Sequence, residues 1–379
     1  MLQQENKAVR TVNIPTRQRP GGDPAGMPIN QGRVGEGEAA SSTQRVRPPL
    51  GPFGPARGRT IYGVTFVAIT AASILFTVGL LAYNNPMEFG TRGFWLIAER
   101  RANAVIAMAI VAVCQALSTV CFHTVTANRI LTPSIMGFES LYRLIATATV
   151  FFFGAATLAK FEGVALFLVQ IALMIVLSLA LYGWLFVGGV KNLHLMLLVG
   201  IVIGGGLGSV STFMQRMLYP SEFDVLAARL FGSVNNADAD LFPIAIPLVV
   251  AAALGLLAMA GPLNLVSLGE SIATNLGVNY KRVVIQVLAL VSVLMAVSTS
   301  LVGPMTFLGF LVATLTYQAC DTYDHRRLLP MSIVMCYAVL TGAYFIMNNF
   351  FHAQGVVSVV IELVGGAAFL WVIMKKGRL

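Results

Sequence analysis

Few residues in this sequence are of a kind that does chemistry, and most of them lie in apolar runs. Glu139 and Arg143 are four apart near the start of one run, so they share a helix face. Glu362 stands in another. If those runs cross a membrane, each charge is expensive and marks function by default. The bland reading of Glu139 and Arg143 is a self-neutralised pair near the cytoplasmic interface; the sharper one is contact with a solute. Glu362 has no evident local partner, and a bond to a neighbouring helix is equally open. His123, His194, His325 and His352 are scattered among loops and run ends, so no metal site is expected. Cys114, Cys121, Cys320 and Cys336 fall in or beside apolar runs without a C-x-x-C and read as small buried hydrophobes. Nucleotide-cradling, metalloprotease and nucleophile-elbow motifs are absent, so neither catalysis nor a cofactor is expected.

One polar stretch interrupts the apolar chain at 264–282. Ser267, Leu268, Gly269 and Glu270 read as a capping box, with the Ser267 hydroxyl on a backbone N–H and Glu270 reaching back. Gly277 sits where a left-handed helix end wants no Cβ. The helix between them is about nine residues, roughly 13 Å long. Leu268, Ile272 and Leu276 fall on one side, and Glu270, Ser271, Thr274 and Asn275 face elsewhere. Lys281 and Arg282 follow. Local pattern alone favours a helix lying in the lipid interface; docking of a soluble partner is the alternative.

The elements that must position these residues are membrane spans. Hydrophobic residues make up 57% of the chain and charged ones 11%, against about 25% charged in soluble domains. Apolar runs near 20 residues define an all-α polytopic membrane protein with about ten transmembrane helices. Their approximate limits are 60–83, 102–122, 135–157, 164–187, 193–213, 241–261, 282–302, 305–319, 329–347 and 355–374. Residues 1–59 hold half of the 16 prolines, are basic, and show no apolar periodicity. They read as a disordered tail without a signal-peptide core, leaving 60–379 as the membrane domain. The net charge of +9 sits largely in the tail and short loops, which excludes a nucleic-acid surface. Arg129, Lys191, Lys281, Arg282, Arg326 and Arg327 outweigh, with the termini, the basic residues of the opposite loops, placing both ends in the cytoplasm. Gly204, Gly205, Gly206, Gly208, Gly365 and Gly366 permit close helix approach. Pro304 must disturb the backbone before the eighth span, and 226–232 form a short helix ending at a glycine.

Five segments, in order, carry a resemblance. Asn128-Arg-Ile-Leu-Thr-Pro133-Ser-Ile-Met-Gly137 resembles an N-P-L-A-x-P-x-x-L-G signature. Leu268-Gly-Glu-Ser-Ile-Ala273-Thr-Asn-Leu276-Gly277 is similar to L-G-E-x-x-A-x-x-L-G. Val302-Gly303-Pro304-Met-Thr-Phe-Leu-Gly309 resembles A-G-P-I-x-F-V-G, and Asp324-His325-Arg326-Arg-Leu-Leu-Pro330 resembles D-H-R-x-L-L-P. Gly355-Val-Val with Gly365-Gly366 fits a final-span pattern. Together they resemble the iron-chelate and cobalamin ABC importer permeases, in their ferric-siderophore branch.

The resemblance implies a type II ABC importer permease-like fold and a multi-pass protein of the bacterial inner membrane. It implies a second permease subunit, cytoplasmic ABC ATPase subunits, a periplasmic or lipid-anchored substrate-binding protein, and a ferric siderophore as cargo. It makes 268–277 the coupling helix to the ATPase, overturning the lipid-interface reading. It assigns binding-protein docking to Arg101, with Arg100 standing in where the family's second arginine falls on Ala104. The rival function is an ion-coupled secondary carrier resting on Glu139, Arg143 and Glu362. A third is a membrane scaffold recruiting partners through its tail.

Overall fold

Apolar side chains without flanking breaks give long helices here, and capping residues set their ends. The computed structural model describes residues 56–83, 87–88, 90–154, 163–187, 193–320, 322–349 and 357–376. The tail therefore lies outside the described residues except for 56–59, which form the first turn of α1 (Ala56–Ala82). Helices α2 (Arg92–Val125), α3 (Glu139–Phe153), α4 (Val164–Val187) and α5 (Leu193–Gln215) follow. A short α6 (Pro220–Leu230) precedes α7 (Phe242–Ala258). The polar stretch holds the end of α8 (Ala260–Val266) and all of α9 (Glu270–Asn275). Then come α10 (Tyr280–Val302), α11 (Leu308–Ala319), α12 (His325–Asn349) and α13 (Val357–Lys376). Among the described residues, eight helical segments are long and apolar enough to cross a membrane, and shorter apolar ones lie at Leu308–Ala319 and Ser358–Ala368. Among the described residues the fold is all-helical, as the composition demands.

The core is built on α2 and α10. The inner part of α2 is buried almost without interruption from Ala107 to Val125. It packs on α10, α12, α7 and α11. Its 34 residues reach about 51 Å, well beyond a bilayer core of about 30 Å. The second span was expected to begin at 102; the helix instead starts ten residues earlier, because the Thr91 side chain accepts from Phe94 N–H at 3.2 Å and caps it. By contrast α1, which packs on α12, exposes Val64, Val67, Leu75 and other apolar side chains, as a lipid-facing helix should. All four cysteines are buried and free.

Close backbone approach explains two of the signature glycines. Gly137 has φ +115 inside a π-helical turn, Ser134–Phe138, that leads into α3. A Cβ on Gly204 of α5 would lie 3.0 Å from the Gly137 Cα, so this turn and α5 meet backbone to backbone. A Cβ on Gly309 would lie 2.2 Å from the Thr119 Oγ1 of α2. Gly205 and Gly206, expected to pack, have nothing within 4 Å.

Candidate functional site

The first interruption of the bundle is the elbow between α8 and α10. Ser267 ends α8, and its hydroxyl donates to the Asn264 carbonyl at 2.8 Å. The expected capping box does not form: Gly269, at φ +97, is the N-cap of α9 and offers no side chain. With Ser267 and Leu268 taken up by the turn, α9 has six residues rather than nine. Its far end matches expectation. Gly277 has φ +86 and donates to the Thr274 carbonyl at 3.0 Å, while Val278 N–H donates to the Ala273 carbonyl at 3.0 Å. Those two bonds are a Schellman closure.

The elbow turns its apolar face outward. Ala273 is buried against the bundle, whereas Leu268, Ile272 and Leu276 are 52%, 50% and 56% exposed. Glu270 is exposed beside them. Three large apolar side chains held outward on a capped turn form a patch of the kind that marks an interaction site.

The elbow is fastened to the bundle by the Asp324–His325 pair. Asn264 Nδ2 donates to Asp324 Oδ1 at 2.8 Å, and His325 N–H donates to Asn264 Oδ1 at 2.8 Å. His325 Nδ1 lies 2.6 Å from the same oxygen, and Nε2 lies 2.7 Å from Thr124 Oγ1 of α2. A proton on Nδ1 leaves Nε2 to accept from the threonine hydroxyl. Asp324 also caps α12 by accepting from Arg326 N–H at 3.1 Å. Three elements (α8, α2 and α12) are thus tied at one point. Pro330 lies inside α12. Asn128 turns the neighbouring loop by accepting from Ile130 N–H at 2.9 Å, and Pro133 leads the π-helical turn. Arg129 stacks over the Tyr317 ring at 4.6 Å, and Tyr317 OH lies 3.3 Å from His123 Nδ1.

The second interruption is the break between α10 and α11. At 12 residues α11 spans about 18 Å, too little for a bilayer core. Gly309, near its start, touches α2 at Thr119 and Gln115, well inside that helix. Residues 303–307 are therefore non-helical at membrane depth, where every freed backbone group needs a protein partner. Glu139 supplies two. Its carboxylate, 3% exposed, accepts from Met305 N–H at 3.1 Å and from the Thr306 hydroxyl. This refines the self-neutralised pair: Glu139 gives both oxygens to the break rather than to a direct bond with Arg143, which lies one turn further along the same face of α3, is exposed, and acts on the carboxylate through space. Glu362 is not partnerless; it accepts from Thr306 N–H. Gly303, at φ +85, ends α10 with its Cα beside Gly232, and Ser233 N–H donates to the Val302 carbonyl at 2.7 Å. A Cβ on Gly232 would lie 2.3 Å from the Pro304 oxygen, and one on Gly365 would lie 2.6 Å from Phe307 Cβ.

Arg101 lies within α2, where Nη1 donates to the Tyr83 and Leu81 carbonyls at 2.9 and 3.3 Å and so caps the end of α1. Arg100 beside it is exposed. Gly355 and His352 lie outside the described residues. Asn264, Thr124 and Thr306 make tying contacts that sequence reasoning missed; each sat in or beside a recognised segment, but its partner lies on another helix.

Among the described residues, eight apolar helices of spanning length and two shorter ones, with an exposed apolar elbow and a deep break, match a known architecture. Residues 64–375 match the model of the FecCD transport family. The chain belongs to that family. Among relatives of this FecCD chain, the petrobactin import system permease protein FatC of Bacillus anthracis is 53% identical over 318 residues, 84% of this chain and 90% of that one. The petrobactin import system permease protein YclO of Bacillus subtilis is 38% identical over 312 residues, 82% and 98% of the two chains. A solved metal-chelate type ABC transporter, in an inward-facing conformation, superposes with TM-score 0.70 at 18% identity, covering 83% of this chain and 99% of that one. That structure shares the fold. The FecCD chain is a multi-pass membrane protein with a transporter permease architecture.

Proposed function

We propose that this chain is the permease subunit of an ATP-driven ABC importer that carries ferric siderophores across the bacterial inner membrane. It pairs with a second permease and works with ATPase subunits and a substrate-binding protein, its termini in the cytoplasm. One observation carries the reading: the outward apolar triad Leu268, Ile272 and Leu276 on an elbow fastened at both ends. Such a patch has no use unpartnered, and its relatives are import permeases. Arg100 is available for the binding protein, whereas Arg101 is committed to α1.

The mechanism follows from the bonds. Closure of the ATPase subunits pushes α9 through its apolar face. The push reaches α8 through the chain and then α2 and α12 through Asn264, His325 and Thr124. Packed helices switch between discrete arrangements rather than deforming continuously, so the motion arrives at the pathway as an outward–inward exchange. The carrier alternative loses its support, since Glu139 is consumed in holding 303–307.

The test is co-purification and uptake together. A tagged chain brings down an ATPase, and Glu270→Arg abolishes uptake of radiolabelled ferric siderophore in a deletion strain. Gradient-driven uptake by the chain alone would refute the reading. Deletion of 1–55 is expected to be tolerated, which separates the importer from the tail-scaffold alternative.

A further inference from the structure

Two cavities adjoin between α3, α4 and α6, with Tyr142, Leu166, Gln170 and Arg229 lining both. The larger, of about 520 Å³, has a polar wall that includes Tyr142, Gln170, Arg229, Asp238 and Ser300. Its volume suits an organic ligand, at about 300–1,000 Å³, rather than a bare ion. The smaller is a cleft of about 60 Å³, walled by Ile145 and Ala146 of α3, Leu226 of α6, and Leu166, Val169 and Leu173 of α4. Val169 and Leu173 are 63% and 41% exposed, so the cleft gives onto the apolar outer surface of α4. In a spanning bundle the medium beyond that surface is hydrocarbon. Arg229 fixes the depth. Its carbonyl accepts from Tyr142 OH at 3.5 Å and would lie 3.1 Å from a Cβ on Gly303, where α10 ends. The 23 residues of α10 run about 34 Å from the elbow, against a hydrocarbon core of about 30 Å. Its end therefore stands near the far edge of that core, the level at which a phospholipid carries its phosphate. Arg229 is half-buried there and Asp238 is exposed, so the polar cavity holds one cation and one anion. A forked guanidinium suits phosphate oxygens, and a carboxylate suits an ammonium.

We propose that these cavities seat one zwitterionic phospholipid from the leaflet opposite the elbow. Its phosphate lies on Arg229, its ammonium at Asp238, and one acyl chain in the cleft between α3 and α4. A purely anionic headgroup brings nothing to Asp238, and a soluble headgroup leaves the apolar cleft unfilled. Seated there, the lipid braces α6, whose far end sets Gly232 against the Pro304 oxygen and so bears on the break. The inference needs the membrane fold alone and stands apart from the importer reading.

Native mass spectrometry of the full chain, purified in detergent and stripped of lipid, is the test. Dioleoyl phosphatidylethanolamine should bind as one copy per chain, about tenfold more tightly than dioleoyl phosphatidylglycerol, and should raise the melting temperature. Arg229→Gln should weaken that binding about tenfold, and Arg229→Lys should restore most of it. Asp238→Asn, at an exposed position, should erase the preference between the two lipids. Ala146→Trp should fill the cleft and block binding with both charges in place. A diazirine on the acyl chain should cross-link to peptides of α3 and α4. A preference for the anionic lipid would overturn the proposal, as would equal stabilisation by glycerophosphoethanolamine, which has no acyl chain. So would the absence of any bound lipid, the result expected if protein fills the space. If Arg229 serves only to complete the last turn of α6, Arg229→Gln will lower the melting temperature and leave lipid affinity unchanged, and the proposal falls.

Discussion

The elbow at 264–277 and the break at 303–307 are both interruptions at glycines with positive φ, yet they are opposites in what they bury. At the elbow, Gly269 and Gly277 have no atom within 4 Å of where a Cβ would stand. They are there for backbone conformation alone, and the side chains around them are apolar and exposed. At the break, Gly303 lies with its Cα beside Gly232, and a buried carboxylate satisfies the freed backbone. Glycine there is a matter of space. An apolar surface held outward on a turn marks a place for a partner; a polar group facing the core holds something in place. On the proposed reading the elbow is the part that receives force, and the break is the part that must not yield to it.

Substitutions sharpen this contrast. The largest effect is expected from Glu139→Ala, which strips Met305 N–H and the Thr306 hydroxyl of their acceptor. It should cost about 3–5 kcal/mol and show as a collapse of the detergent-solubilised melting temperature. Gly232→Ala forces a Cβ onto the Pro304 oxygen and should cost up to about 3 kcal/mol in the same assay. Ile272→Asp should leave the melting temperature unchanged while weakening ATPase binding by about 2 kcal/mol, roughly 30-fold, in a titration of the purified subunits. Thermal destabilisation by Ile272→Asp, or its absence in Glu139→Ala, would break the distinction between receiver and anchor. The smallest effect is Gly277→Ala, about 1 kcal/mol from the left-handed backbone alone, read as a modest fall in melting temperature.

Much of this was legible in the chain. Span number and class followed from composition, because a bilayer admits little besides apolar helices. The segments around Gly137, Gly303 and Asp324 were recognisable because each serves a backbone need that few residue types meet. What escaped was tertiary. Glu139 and Arg143 have the spacing of a helical pair, but nothing local announces that Met305 and Thr306 will take the carboxylate. Ser267 and Glu270 have the spacing of a capping box, yet the left-handed turn at Gly269 gives the serine hydroxyl to Asn264. The periodicity of Leu268, Ile272 and Leu276 was plain; a helical wheel records which residues share a side and not which side the bundle occupies.

The fastening of α1 has a mechanical corollary. At one tip Tyr62 OH donates to the Arg327 carbonyl at 3.0 Å; at the other Arg101 grips Leu81 and Tyr83. The least buried of the spanning helices described is thereby an outrigger, lashed to the hull fore and aft. A change in membrane thickness that tilts it must drag on Arg327, two residues from His325. Spin labels at Gly63 and on α12 should keep a fixed separation through the transport cycle, while importer activity varies with the acyl-chain length of the host vesicle.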